Sequence, residues 1–432
     1  MGNLIKFAAA GDSFITRRLP SLEDDSFSDI ASLLKKADVR FNNLEVTVHN
    51  EEGFPSAFSG GTWALGDPSA LDDIESYGFN LINFANNHTL DYSYGGLIAT
   101  KKYLSKHNFV YAGAGENLSE ASDPKYLDCG SGRIGFIAAT STFHDSWIAG
   151  EQRRDMIGRP GINPLRYKST YVVSKKRIEE LKDIANDTDI NAVNNLNIKE
   201  GFEVQGNSKE FKFGNYVFSE GINQGQITEP DEADLKRIGS AISEAKRQSD
   251  YVIVSIHSHE MKGEDKSAPA DFLIKFARFC IDSGANAVIG HGPHVLRPIE
   301  IYKNSPIFYS LGNFIFQSDT VRKLPSDFYE KYNLGNNNNT ADAFDTRSKN
   351  NTIGLGANPY VWESVIPVWE VEDNRLKSIS LYPIELGYNE PRYKRGWPHL
   401  SENAEIIKRL QHLSKPFGTN IKVDGSVGKI LL

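Results

Sequence analysis

Five short segments of this chain each set metal-ligand side-chain types directly after a strand-like apolar run. They are Phe7-Ala8-Ala9-Ala10-Gly11-Asp12, Phe41-Asn42-Asn43-Leu44-Glu45, Leu81-Ile82-Asn83-Phe84-Ala85-Asn86-Asn87-His88, Val252-Ile253-Val254-Ser255-Ile256-His257-Ser258-His259-Glu260 and Ala287-Val288-Ile289-Gly290-His291-Gly292-Pro293-His294. Open α/β sheets place their chemistry at the carboxyl ends of strands. Carboxylate, amide and imidazole donors gathered there make a nitrogen and oxygen site for one or two divalent metals. Five of the ten histidines fall in the last three segments.

Each residue has a role open to it. Gly11 lets the chain turn and leaves the Asp12 carboxylate uncovered, although Gly-Asp is also a common turn pair. Glu45 could bridge two metals, with Asn43 supplying an oxygen ligand or hydrogen-bonding one. The Asn87 oxygen could ligate a metal, and His88 could act as general acid or stabilise a developing anion, with Asp91 orienting its ring. In an extended segment His257 and His259 face the same side. His257 is the favoured ligand, His259 a candidate substrate contact, and Glu260 a candidate to fix a ligand histidine's tautomer. His291 and His294 flank a rigid Gly-Pro turn that can aim both rings at one point. Arg17, Arg18, Arg159 and Arg297 are candidate anion clamps.

The elements that must hold these groups alternate in type. Strand patterns cover 4–10, 39–42, 79–84, 110–112, 133–140, 251–257 and 285–290. Helical spacing covers 26–36, 70–77, 95–107, 232–248 and 269–283, with Gly78 the expected stop of the second. This rhythm predicts a layered α/β core. It weakens over 146–230, where 174–186 reads as helix and 190–225 as a polar insertion. Strands at 299–302 and 307–310 form an expected hairpin turning near Asn304-Ser305-Pro306. Residues 318–356, with Asn336-Asn337-Asn338-Asn339, read as a loop or lid. Late strands follow at 361–370 and 378–383, then a helix near 401–413 and a short extended end.

Length and composition bound the rest. The chain has 432 residues, with 39% hydrophobic and 24% charged residues, which is ordinary for a soluble globular protein. A net charge of -8 disfavours broad nucleic-acid or anionic-lipid binding while allowing a local positive field for an anionic substrate. Two cysteines make no disulfide framework, and Cys280 reads as a buried small hydrophobe. The N-terminal apolar run is too short for a signal peptide, Gly2 lacks a myristoylation context, and no run has the length of a membrane span. A soluble, cytoplasmic protein without a membrane span is expected; the oligomeric state is open.

The ordered set Gly11-Asp12, Asn43-Leu44-Glu45, Asn86-Asn87-His88, His257 and Gly290-His291-Gly292-Pro293-His294 resembles the CapA/PgsA family of poly-γ-glutamate capsule-synthesis proteins, a branch similar to calcineurin-like metallophosphoesterases. Gly158-Arg159-Pro160-Gly161-Ile162-Asn163-Pro164, Tyr309-Ser310-Leu311-Gly312-Asn313-Phe314 and Trp362-Glu363-Ser364-Val365 also resemble family segments. The resemblance implies a four-layer α/β/β/α sandwich over 1–390, interrupted by the insertion at 190–225 and the loop at 318–356. Residues 391–432 would pack on it as a C-terminal helix and extended tail. It implies Asp12, Glu45, Asn87, His257, His291 and His294 as ligands of one or two Mn, Fe or Zn ions, Glu45 as the bridge and His88 as the catalytic histidine.

The activity implied is phosphoester hydrolysis by a metal-bound hydroxide on an anionic small molecule or polymer, linked to capsule synthesis. The alternatives are γ-glutamyl amide or peptide hydrolysis at the same site, or a non-catalytic assembly role in polymer synthesis. Three departures stand out. Metallophosphoesterases carry Asp-x-His in the first motif, where this chain has Asp12-Ser13-Phe14; Glu45 replaces a bridging Asp; and the last motif has one extra residue between its histidines.

Overall fold

In the computed structural model, residues 4–21, 24–206 and 209–432 are described. The Met1-Gly2 start and positions 207–208 of the expected insertion lie outside them. The strands that position the site are, in chain order, β1 (Leu4–Phe14), β2 (Val39–Leu44), β3 (Leu81–Asn83), β4 (Gly132–Thr140), β5 (Tyr251–His257), β6 (Ala287–His291), β7 (Asn313–Phe316), β8 (Glu363–Glu372) and β9 (Arg375–Glu385). The main helices are α1 (Asp25–Leu34), α2 (Ala70–Tyr77), α3 (Ser93–Leu104), α4 (Glu232–Gln248), α5 (Asp271–Ser283), α6 (Thr340–Ser348) and α7 (Ala404–Ser414). Gly78 closes α2 in the left-handed region at φ 98°.

The result is a mixed α/β protein with two principal sheets. The ten-stranded sheet runs Asn420–Asp424, Val427–Leu431, β9, β8, β1, β2, β3, Val110–Ala112, with β7 also on β1 and His399–Leu400 on β9. The six-stranded sheet runs Ile299–Tyr302, Ser305–Phe308, β6, β5, β4, Lys125–Cys129. β1, β2 and β3 are mutually parallel, as are β4, β5 and β6.

Alternation along the strands explains how the sheets meet. Phe7 and Ala9 of β1, Phe41 of β2, Phe136 of β4, Tyr251 and Ile253 of β5 and Ile289 of β6 share one apolar cluster. Their neighbours point the other way. Ala8 and Ala10 join a cluster with Ile30 and Leu34 of α1, Ile74 of α2 and Leu97 of α3. Val252, Val254 and Ile256 join one with Ile238 and Ile242 of α4 and Phe272 and Phe276 of α5. A strand covered on both faces has no polar alternation to show, which is why these segments read as continuous apolar runs. Cys280 is fully buried in the α5 cluster, as expected.

Three expectations change. Residues 318–356 are not a structureless loop. They carry a short helix Ser326–Lys331 and α6, and Phe328, Ala343 and Phe344 are buried in the core. The Asn run ends in the α6 N-cap, where Asn339 and Asp342 form a capping box. The polar excursion starts well before 190. Tyr167–Val173, Glu210–Phe213, Tyr216–Glu220 and Gly225–Pro230 make a four-stranded sheet beside helices Lys175–Thr188 and Ala192–Glu200. The hairpin pairs Ile299–Tyr302 with Ser305–Phe308. Its turn is therefore Lys303-Asn304, both at positive φ, and Pro306 lies inside a strand. Among the described residues, no helix is long and apolar enough to cross a membrane.

Candidate metal centre

Strand register brings the ligand types together. Asp12 sits opposite Asn43 of β2 and Asn313 of β7, and Asn43 sits opposite Asn83 of β3. In the other sheet His257 pairs with His291 and with Thr140. Because the sheets share one core, these two rows of strand ends face each other. Asp12, Glu45, His257 and His291 are at most 1% exposed, and His294 is 5% exposed.

Asp12, Glu45, His257, His259, His291 and His294 converge in three overlapping groups: Asp12 with His257 and His291, Glu45 with His257 and His259, and Asp12 with Glu45 and His294. Asp12, Glu45 and His257 each belong to two groups, so two neighbouring cations could share them. Asp12 Oδ1 lies 3.7 Å from His291 Nδ1, and Asp12 Oδ2 lies 3.7 Å from His294 Nδ1. Glu45 Oε1 lies 3.7 Å from His257 Nε2, 3.9 Å from His259 Nε2 and 3.8 Å from His294 Nε2. Both imidazoles of the His257-Ser258-His259 run therefore reach Glu45. His259, expected as a substrate contact, thus stands almost as near Glu45 as the favoured ligand His257 does.

The donor set fits a cation. Neither Glu45 oxygen accepts a hydrogen bond from a described residue, and the buried Asn87 Oδ1 is also unpartnered. Burial, followed by repulsion from Asp12 and Asp91, pushes the Glu45 carboxyl well above its usual range. Burial lifts Asp12 to about 7 against hydrogen bonds from Asn43 and the Gly292 amide. Burial drops His291 and His294 to about 3, and it lowers His257 with help from the neighbouring imidazoles. Neutral imidazoles are the state a metal needs, and the two raised carboxyls mark the positive charge that a cation would supply.

Neighbouring groups aim the candidate ligands. Asn43 donates to Asp12 Oδ1 at 2.7 Å, while its own carbonyl oxygen accepts from Asn83 and Asn86. Of the two roles open to Asn43, it therefore takes the hydrogen-bonding one. His294 Nδ1 donates to Asn313 Oδ1 at 2.9 Å, which leaves Nε2 for the Glu45 side. His294 also holds φ 62°, a left-handed geometry that Gly292 and Pro293 set up. Ser255 Oγ lies 2.7 Å from His291 Nε2, so the His291 Nδ1 edge faces Asp12 and His257. Gly11 permits close passage of β1 past Gly312: a side chain there would sit 1.8 Å from the Gly312 carbonyl, and the Asp12 amide donates to that same oxygen.

His88 stands beside this cluster. Its Nδ1 donates to Asp91 Oδ2 at 2.6 Å, and Asp91 is itself fixed by the Gly60 and Ala64 amides. Phe14, at the position where the related motif carries histidine, packs edge-on against the His88 ring at 5.1 Å. A cavity of about 500 Å³ opens over His88 and His294. Its walls include Gly60, Lys266, Phe316 and Arg347.

Several expected contacts fall elsewhere. Arg297 is fully buried and gives its guanidinium to the carbonyls of Lys266, Ser258, His259 and Glu260, so it braces a turn and clamps no anion. Arg18 pairs with Asp72 and Asp73, Arg17 bonds the Tyr393 carbonyl, and Arg159 bonds the Ile148 carbonyl. Glu260 accepts from Ser141, Thr142 and Ser258 and touches no ligand histidine. Sequence reasoning missed Ser255 and Asn313 as ligand-aiming groups. The signal for Ser255 was its position two residues before His257, on the same face of β5. Asn313 stood next to Gly312 in a segment noted only for its resemblance.

The family model for bacterial capsule synthesis protein PGA_cap matches residues 6–318. The uncharacterized protein y4sH of Sinorhizobium fredii is 35% identical over 98% of this chain and 92% of its own length. The capsule biosynthesis protein CapA of Bacillus anthracis is 24% identical over 73% of this chain, and the PGA biosynthesis protein CapA of Bacillus subtilis is 25% identical over 73%. The chain spans 59% and 62% of the length of those two relatives.

Proposed function

The chain belongs to the bacterial capsule synthesis protein family, and on that premise we propose that it is a metal-dependent hydrolase with the four-layer α/β/β/α sandwich of metallophosphoesterases. The helix clusters outside each of two sheets that share a core support that architecture. Glu45 carries the functional reading. It is a fully buried carboxylate whose two oxygens have no hydrogen-bond donor among the described residues, ringed by three imidazole nitrogens. Leaving such a charge unpaired costs several kcal/mol. A shared cation removes that cost.

Asp12, Glu45, Asn87, His257, His259, His291 and His294 would hold one or two divalent ions, which supply Lewis acidity and a nucleophilic water at neutral pH. The chain's own residues do the rest. Asn43, Ser255 and Asn313 keep the ligands aimed. His88, its Nδ1–H spent on Asp91, turns Nε2 to the cavity it lines and there gives a proton to the leaving oxygen. Phe14 and Phe316 wall the reacting end with apolar surface. Phosphoester hydrolysis is the simplest reaction for this set.

In a second reading the same groups cleave a γ-glutamyl amide, since a metal-activated water can attack a carbonyl as well as a phosphorus. A non-catalytic accessory role in polymer synthesis would keep the metal without turnover. The test is metal content, followed by turnover of phosphodiesters, phosphomonoesters and γ-glutamyl peptides with Mn²⁺. Substituting His88→Ala should leave metal content intact and cut turnover by about 10²–10⁴-fold. Turnover that survives both His88→Ala and His291→Ala ends the hydrolase reading.

A further inference from the structure

The cavity over His88 and His294 carries two cationic side chains in its lining, Lys266 and Arg347. They are not equivalent. Arg347 donates to the Gly61 carbonyl and to Thr62 Oγ1, so it is committed to tying α6 to the 60–62 turn. Asp319, the acidic residue in the same lining, is paired with Arg395, which stacks over Trp362 at 4.3 Å. Lys266 has neither tie. Among the described residues, its ammonium has no hydrogen-bond or ion-pair partner, although the residue is half-buried.

Its placement is fixed from behind. The Lys266 carbonyl accepts from the fully buried Arg297, whose other nitrogens hold the carbonyls of 258–260. The backbone that aims His259 and the backbone that presents Lys266 are thus one braced unit. Lys266 also lies near enough to His259 and His294 to perturb both electrostatically. A half-buried cation without a counterion, at the edge of the cavity that holds the reacting groups, is set to be completed by a ligand.

Building on the hydrolase reading, we propose that Lys266 is the substrate-positioning cation of this site, binding an oxyanion, phosphate or carboxylate, of the molecule held over His88 and His294. It does the work that Arg17, Arg18, Arg159 and Arg297 were expected to do. The oxyanion takes a charge-assisted hydrogen bond from Nζ, which fixes the substrate's orientation without joining the bond-breaking step.

The wild-type protein tests this directly. A neutral amine-acylating reagent, read by mass spectrometry, should modify Lys266. Inorganic phosphate or glutarate should protect it, leaving exposed Lys262, whose strand Met261–Lys262 pairs with the Lys266 strand Asp265–Pro269, equally labelled throughout. Protection by phosphate alone points to a phosphoester substrate, and protection by glutarate alone to a carboxylate one. Once turnover is measurable, Lys266→Met should raise KM by roughly tenfold or more with kcat nearly unchanged, and Lys266→Arg should restore most of it. Labelling of Lys266 that neither anion alters at any concentration overturns the proposal, as does an unchanged KM in a folded Lys266→Met variant. Protection that persists in a protein without turnover on any substrate keeps this assignment and removes the hydrolase reading instead.

Discussion

The floor and the wall of the cavity are built on opposite principles. The floor (Asp12, Glu45, His257, His291 and His294) stands on strand ends and is almost completely buried. Backbone register and a second row of amides and hydroxyls hold it. The wall, drawn largely from 318–358, is half-exposed. Short helices, a capping box and a few ties such as Arg347 to Gly61 hold it. A buried, ionised carboxylate without donors, as at Glu45, is costly unless something charged completes it, whereas a solvated wall can change its side chains at little cost. On the proposed function, the floor sets what chemistry is possible and the wall sets what is admitted to it.

The comparison breaks most visibly at Glu45. Glu45→Gln keeps the shape and removes the charge. Bound metal should fall below the wild-type stoichiometry and turnover should drop by about 10³-fold or more. Stability should move in opposite directions in the two states. The metal-free variant should melt above metal-free wild type, because an unpaired buried carboxylate is gone. The metal-loaded pair should show the reverse order. Calorimetry with and without chelator reads both. A variant that binds metal like wild type would show that Glu45 does not hold the cation, leaving at most the Asp12, His257 and His291 group.

Asp12 sharpens the same point through pH. Its folded pKa of about 7 lies above the usual carboxylate value because burial disfavours the charge. Between the two values the folded metal-free protein keeps a proton that the unfolded chain has lost, so stability falls as pH rises through that interval. Metal-free wild type should lose on the order of 4 kcal/mol relative to Asp12→Asn between about pH 4 and pH 7, then level off. Denaturant melts of the two proteins across that range measure the difference. A constant difference would mean that Asp12 is not desolvated.

Much of the floor was legible because each ligand type follows a strand and each strand is a continuous apolar run. Burial on both faces produces that pattern, so Phe7–Asp12 and Val252–His257 announced themselves. What could not be read was side-chain aim. Nothing local distinguishes Arg297 as a brace from Arg297 as a clamp, since its partners are carbonyls of 258–260 brought near only by the fold. Asn313 is the converse case. It lies 19 residues beyond His294 and acts on it through a strand pairing that sequence spacing does not encode. The wall was misread for a different reason. Polar composition over 318–356 suggested a loop, while buried Val321, Phe328, Ala343 and Phe344, with half-buried neighbours such as Tyr329 and Leu334, dock the segment on the core.

Asn313 gives a smaller effect at the floor's edge. Asn313→Ala removes the acceptor that holds His294 Nδ1–H, so the ring can flip its proton toward Glu45. Metal affinity should weaken by about 10–100-fold while the fold persists, measured by competition with a chelating dye. Unchanged affinity would place His294 outside the ligand set.

The smallest effect belongs to the wall. Arg347→Ala frees α6 from the carbonyl of Gly61 and the hydroxyl of Thr62, and it bares the Phe328 ring that its guanidinium covers at 5.8 Å. Gly60 lies against His88 and Asn87, so this tie runs from the wall to the turn that packs on His88. If wall and floor are separable, metal content should stay at the wild-type value and KM should rise by only about two- to fivefold, the scale of one surface hydrogen-bonded tie. A loss of metal on the same substitution would show that the 60–62 turn transmits strain to Asn87, and the division between admission and chemistry would then fail at that turn.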